Sequence, residues 1–243
     1  MWKENSVSVI LPTYNEKDSI VKVIQDYFDT GYVDEVIVVN NNAVSGTKEI
    51  VDKTDARQVY ENKQGYGYAI RRGIDEAKSD LIVISEPDGT FRASDIIKLL
   101  IYSDDYDAVW GTRTDVRFIE QGANMNIALR FGNLFVAKTI QFLFNTTRLS
   151  DAGCTLKLYK KEVIDDIKKY FTIGREHFGV ELMVLTALKG FNIIEVPINY
   201  HKRIGKSSVT GYPSKTLLLS LKMMVTILRY FIKKEHCQYE NNE

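Results

Sequence analysis

"DLIVISEPDGTF", residues 80–91, carries an unbroken apolar run from Leu81 to Ile84 and then two carboxylates, Glu86 and Asp88, separated by Pro87. A strand with one face in water alternates polar and apolar side chains, whereas an unbroken run is covered on both faces by helices. The stretch therefore points to a doubly wound α/β domain. Its end has two readings. Pro suits the second position of a type I turn, Asp favours turns and Gly relieves the exit, which describes a surface turn. In open α/β sheets, however, ligands bind beyond the carboxyl ends of the strands. Mg2+ or Mn2+ is held there by one or two carboxylates plus phosphate oxygens. A turn can also be that site.

Working outward, "VSVILP" (7–12) reads as a buried strand, "SIVKVIQDYF" (19–28) as an amphipathic helix and "DEVIVVN" (34–40) as the next strand. "TKEIVDK" is helical, "ARQVYE" a short strand and "GYGYAIRRGIDEAK" a helix. After "ASDIIKLLIYS" and the strand "YDAVWGTR" the rhythm loosens, and residues 112–150 form a long insertion with the helical middle "MNIALRFGNLFVAKTIQFLF". "TLKLYK", "KEVIDDIKKYF", "VELMVLTALKG" and "NIIEVPINY" return to strand and helix. A basic loop then leads to a long apolar helix from about Pro213 to Lys234.

The composition narrows the function classes. The 243 residues are 44% hydrophobic, enough for one sizeable core, and 32 Lys+Arg balance 32 Asp+Glu, so no overall basicity points to nucleic acid. Cys154 and Cys237 lie far apart without zinc-type spacing, which fits free thiols in a reducing compartment. "MWKENS" has no basic segment or cleavage site of a secretion signal, and a cytoplasmic location is expected. "GYGYAIRRG" has Ile70 where a dinucleotide fingerprint needs its third Gly, and the first β–α turn, "PTYNEKDS", contains no glycine. A nicotinamide-binding protein is disfavoured, and no phosphate loop of the GxxxxGK[ST] type is present.

"VSVILPTYNE", "DEVIVVNNN…SGT", "NKQGYGYAIRRG", "LIVISEPDGTF", "VWGTR", "LSDAGCTLKLYKK" and "EVPINYHKRIGKSSVTG" occur in the order seen in family 2 glycosyltransferases. They most resemble the dolichol- or polyprenyl-phosphate glycosyltransferase branch, over about residues 6–210. The resemblance implies a GT-A fold over residues 1–212, with a donor half to about 111 and an acceptor half over 112–212. Residues 213–243 would be an amphipathic helix and tail. It also implies a nucleotide-diphosphate sugar donor, UDP- or GDP-linked, and Mg2+ or Mn2+ at "EPD", with Asp88 the first ligand. Glu86, where the family usually has Asp, would reach the cation or the ribose. Pro12, Tyr14 and Glu16 would line the base and ribose pocket with Asn40, Asn41 and Gly67, although Tyr14 and Asn15 also fit a simple capped turn. An amide at Asn40 or Asn41 both donates and accepts, so it does not choose uracil over guanine.

On the acceptor side the resemblance carries over Arg113, Arg130, Arg203, Lys206 and Ser207 as contacts to a lipid phosphate, since guanidinium forks suit phosphate oxygens. Inverting in-line displacement at the anomeric carbon is the implied reaction. An ionised phosphate acceptor needs no general base, whereas a sugar hydroxyl does. Asp151, then Glu181, are the carboxylates available as base or acceptor positioner. From Val196 to Lys234 the chain has eight Lys or Arg and no Asp or Glu. Lys215, Lys222, Thr226, Arg229 and Lys233 are spaced for one helix face, and the remainder is largely apolar, the pattern of an anchor lying on an anionic membrane surface. The helix would equally be covered by the domain itself or by a second subunit in a homodimer. Two other functions compete: a soluble glycosyltransferase acting on a glycan or protein hydroxyl, and a non-catalytic nucleotide-sugar-binding subunit at a membrane.

Overall fold

The computed structural model describes residues 1–205 and 213–240. The chain opens with β1 (Val7–Thr13), α1 (Ile20–Phe28), β2 (Glu35–Asn40), α2 (Thr47–Val51), β3 (Arg57–Tyr60), α3 (Tyr66–Glu76) and β4 (Leu81–Ile84). It continues with α4 (Ile96–Tyr102), β5 (Ala108–Thr112), α5 (Ile127–Phe144), β6 (Lys157–Lys160) and α6 (Lys161–Ile167). α7 (Phe178–Leu188), β7 (Ile193–Pro197) and α8 (Pro213–Glu240) complete it.

The seven strands form one sheet in the order β3-β2-β1-β4-β6-β5-β7. All neighbours are parallel except β6, which runs antiparallel to both β4 and β5. The apolar runs do what their composition dictates. Ile10, Ile37, Ile82 and Ile84 face a core shared with α3, α5, α6 and α7, while Val9, Leu11, Val36 and Val83 face a second core under α1 and α4. Every residue of β4 is at most 2% exposed, so truncating one such aliphatic side chain to Ala costs about 2–5 kcal/mol. α1 buries Ile20, Val23, Ile24 and Tyr27, the spacing of a single helical face. The antiparallel direction of β6 has no counterpart in the sequence pattern, because a buried strand reads the same in either direction.

Helices α5 and α8 pack on each other and expose much of their apolar surface. α5 buries Val136, Ala137, Ile140 and Phe144 and exposes Ile127, Phe131, Phe135 and Phe142. α8 buries Met223, Ile227 and Tyr230 and exposes Leu217, Leu221, Val225, Leu228 and Ile232. One face of α8 is thus covered by the domain itself, and the opposite face is apolar and open. Among the described residues, α5 is the one helix long and apolar enough to cross a membrane.

Candidate active site

The strand ends β1 and β4 bring "PTYNE" and "EPDGT" to one rim of the sheet. Pro87 and Asp88 form the turn, and Gly89 takes φ 77°, a conformation that glycine adopts without strain. Ser19, at the start of α1, donates its hydroxyl to the Pro87 carbonyl at 2.6 Å and ties the turn to the first β–α unit. Asp88 is 1% exposed. Its Oδ1 accepts from the Thr90 amide at 2.9 Å and the Thr90 hydroxyl at 2.6 Å. Its Oδ2 is buried without a hydrogen bond of good geometry, and an ion contact with Arg203 offsets its charge. The same guanidinium nitrogen donates to Glu86 Oε2 at 3.0 Å. Burial first, and the Asp88 charge second, push the Glu86 carboxyl up to about 8 against the pull of Arg203.

Two adjacent carboxylates with an orphaned buried oxygen at a strand end suit a hard divalent cation of the Mg2+ type, completed by phosphate and water oxygens. Among the described residues no group of three or more His, Cys, Asp or Glu side chains gathers. A cation here would therefore take further ligands from the substrate.

A cavity of about 860 Å3 opens over this turn, a volume in the range of small-molecule sites. Pro12, Tyr14, Glu16, Asn41, Glu86, Asp88, Arg113 and Arg203 all line it. Glu16 Oε2 accepts from the Tyr14 and Asn15 amides at 2.8 and 2.9 Å, so its carboxylate shapes the turn that presents the Tyr14 ring. Asn41 reaches the cavity with its amide already engaged. It donates to the Glu61 and Lys63 carbonyls at 2.7 and 3.0 Å and accepts from the Gly65 amide at 2.8 Å, fixing the loop before α3. Asn40 is engaged likewise, with Gln58 at 3.0 Å and the Ala43 amide at 2.9 Å.

Arg113 and Asp151 form a buried bidentate pair. Arg113 Nε donates to Oδ2 at 2.8 Å, Nη2 to Oδ1 at 3.0 Å and the Arg113 amide to Oδ2 at 3.0 Å. Burial opposes charge on both, yet the Arg113 charge holds the Asp151 carboxyl below the usual carboxylate range, and Asp151 holds the guanidinium above its own. Glu195 on β7 accepts from the Ser150 and Asp151 amides at 2.6 and 3.1 Å and sets the loop that carries the acid. Arg113 lies 4.9 Å from the Tyr200 ring, a cation–π contact at the cavity wall.

Several candidates sit elsewhere. Gly67 lies in the first turn of α3, where a Cβ would stand 2.8 Å from the Gly174 backbone carbon and from Phe178 Cβ. Its place is that of a close helix contact. Arg130 donates to the Thr114 carbonyl at 2.7 Å and does not line the cavity. Glu181 is fully buried in α7, accepting from the Thr172 hydroxyl at 2.6 Å, the Ile173 amide at 3.0 Å and the Tyr230 hydroxyl at 2.7 Å. Lys206 and Ser207 lie outside the described residues. The cavity also gathers Tyr66, Thr155, Arg175, Glu176 and Tyr200, which the motif reading left aside. Gly174 sets the position of Arg175 and Glu176: its carbonyl accepts from the Tyr68 amide at 3.3 Å, drawing that loop against α3.

The family model described as "Glycosyl transferase family 2" matches residues 8–168. The dolichyl-phosphate hexose transferase of Haloferax volcanii is 30% identical over 212 residues, covering 86% of this chain and 88% of that protein. The dolichyl-phosphate beta-glucosyltransferase of Saccharomyces cerevisiae is 22% identical over 242 residues, covering 87% and 72%. Among solved structures, glucosyl-3-phosphoglycerate synthase from Mycobacterium tuberculosis, in complex with Mn2+, UDP and phosphoglyceric acid, superposes with a TM-score of 0.72 at 17% identity. The match covers 94% of this chain and 79% of that one, and the shared architecture is the GT-A fold.

Proposed function

Because the chain belongs to glycosyltransferase family 2, we propose that it moves a sugar from a nucleotide-diphosphate donor, UDP- or GDP-linked, to a polyprenyl phosphate. The observation that carries this reading is the meeting of acid and base in one cavity. Glu86 and Asp88 at the end of β4 meet Arg203, and Arg113 lines the same cavity. The acids suit the cation of a donor diphosphate, and the arginines suit an acceptor that is itself an anion. Two dolichyl-phosphate glycosyltransferases among the relatives support the lipid phosphate as acceptor.

In this reading Tyr14 packs on the nucleotide base, with Pro12 forming the floor of its pocket and Glu16 holding the turn. Glu86 and Asp88 would hold Mg2+ or Mn2+, which supplies positive charge to the departing diphosphate. Arg113, fixed by Asp151, and Arg203 orient the acceptor phosphate for in-line attack on the anomeric carbon, with inversion. An ionised phosphate attacks without giving up a proton. That matters because Asp151 is locked to Arg113 by both oxygens and Glu181 is saturated by Thr172, Ile173 and Tyr230, so neither is placed to take a proton. We assign both a structural role. The exposed apolar faces of α5 and α8, with Lys222 and Arg229 beside them, suit a position lying on the inner face of a membrane.

The rival reading, a hydroxyl acceptor, needs a base in the cavity. Glu176, exposed on its wall, is the carboxylate most available for that role. A screen of UDP-, GDP- and dTDP-sugars with Mn2+, each offered with a polyprenyl phosphate or a free glycan, separates the two. Transfer to the lipid phosphate, lost in EDTA and in Asp88→Ala, is the expected result. Transfer to the glycan alone, abolished in Glu176→Gln, would establish the rival.

A further inference from the structure

We propose, on the basis of the metal-dependent reading above, that Arg203 occupies the cation position of the Glu86–Asp88 turn until the metal arrives, and that metal binding releases it toward the acceptor. One guanidinium nitrogen, Nη2, donates to Glu86 Oε2 at 3.0 Å and contacts Asp88 Oδ2. Two carboxylates converging on a single cationic nitrogen are arranged as they would be around a metal ion. Asp88 Oδ2 has no hydrogen bond of good geometry, so the ion contact with Arg203 offsets its charge in this state.

A divalent cation that takes Oδ2 would stand beside the guanidinium nitrogen that now contacts the same oxygen. The repulsion between them grows as water is excluded, and the turn is buried. That repulsion favours departure of the Arg203 side chain. Its backbone is pinned to the turn: the His201 amide donates to the Thr90 carbonyl at 2.8 Å and the Ile204 amide to the Asp88 carbonyl at 2.9 Å. Ile204 lies over Gly89, where an added Cβ would stand 3.1 Å from its Cδ1. The side chain is 27% exposed on the cavity, which leaves it room to turn while these backbone bonds hold. It lines the same cavity as Arg113, so the rotation delivers a second guanidinium to the side where an acceptor phosphate would sit. Two consequences follow for the free protein. Its affinity for the metal is held down by its own arginine, and metal with donor binds before the acceptor finds its full set of cations.

The test uses the full chain and Mn2+ alone, with free Mn2+ counted by its paramagnetic resonance signal in the absence of nucleotide. Arg203→Ala is expected to lower the Kd for Mn2+ at least tenfold, and Arg203→Lys, a shorter-reaching cation, to lower it less. Asp88→Asn should remove the gain in either background. Equal Mn2+ affinity in the wild type and Arg203→Ala, with Asp88→Asn still weakening both, would overturn the role of Arg203 and leave the metal site standing. Mn2+ binding indifferent to Asp88→Asn in every background would overturn the metal site and this proposal together.

Discussion

Arg113 and Asp151, 38 positions apart in the chain, face each other through two parallel guanidinium–carboxylate bonds and a third from the arginine's own amide. Both are buried, so removing one leaves the other as an unpaired buried charge, which typically costs about 3–5 kcal/mol. Asp151→Ala should lower stability to urea by that amount, and a loss below about 1 kcal/mol would show that the pair is not holding the loop. The pH dependence has a definite sign. The native carboxyl lies below its unfolded value, so its contribution is present above about pH 4 and is lost as the pH falls through the lowered native value. Wild-type and Asp151→Ala stabilities should therefore converge on acidification.

Tyr14 is 46% exposed at the cavity edge, and the Glu16 carboxylate holds the turn beneath it. Tyr14→Ala should weaken UDP or GDP binding by removing the ring face, and Glu16→Ala by loosening the turn, each by about 1–3 kcal/mol in calorimetry. Unchanged affinity in both variants would move the nucleotide elsewhere.

The apolar side chains of α5 and α8 separate into buried and exposed sets, which allows membrane contact to be tested without opening the core. Deleting residues 213–243 would uncover the surface under Met223, Ile227 and Tyr230, so point changes are preferable. Phe131→Ser with Phe135→Ser, or Leu221→Ser with Val225→Ser, should release the protein from anionic liposomes while nucleotide binding persists. Binding by the wild type should also weaken with salt, since each basic residue near the surface adds about 1 kcal/mol. Wild-type protein that fails to sediment with such liposomes would remove the membrane from the proposal.

Lys157 is the first residue of β6, 1% exposed, with its ammonium lacking a hydrogen-bond partner and 4.8 Å from the centre of the Trp110 ring. Burial holds its pKa below the usual lysine range. Lys157→Met should raise stability at pH 7 by about 1–2 kcal/mol, because a desolvated charge gives way to an apolar chain of similar length. Between the lowered native pKa and about 10.4 the unfolded chain binds more protons than the native one, so wild-type stability rises with pH there. The advantage of the Met variant should shrink across that window in urea titrations at pH 7 and pH 10.

The sequence pattern spoke clearly where one physical demand acted alone. Leu81–Ile84 had to be covered on both faces, and the two cores do cover it. The strand-end placement of Glu86 and Asp88 followed from the same run. Partnerships were less legible. Nothing local marks Asp151 as the mate of Arg113, because both sit in irregular chain and meet only once β5 and the loop after α5 converge. Glu181, a carboxylate inside an apolar helix, reads the same whether it awaits a substrate or is already satisfied. Its partners come from two separate stretches, Thr172 and Ile173 before α7 and Tyr230 in α8. Arg203 was legible as a cation near an anion, but the internal carboxylates it rests on were not.

The antiparallel insertion of β6 between β4 and β5 also orders the events of folding. β1, β2 and β3 pair as sequential neighbours, and β4 returns past both β3 and β2 to join β1. β6 must instead return over the whole of β5, the insertion and α5 before Leu81 meets Lys160 and Ala108 meets Tyr159. Closing so long a loop has a higher entropic barrier than adding the next local unit. Amides of β1 and β2 should then become protected in pulse-labelled hydrogen exchange before those of β6. The wall that carries Asp151 and Thr155 would close after the strand ends that carry Pro12 and Tyr14, so a nascent chain would hold its nucleotide-side rim before it had any acceptor side to serve.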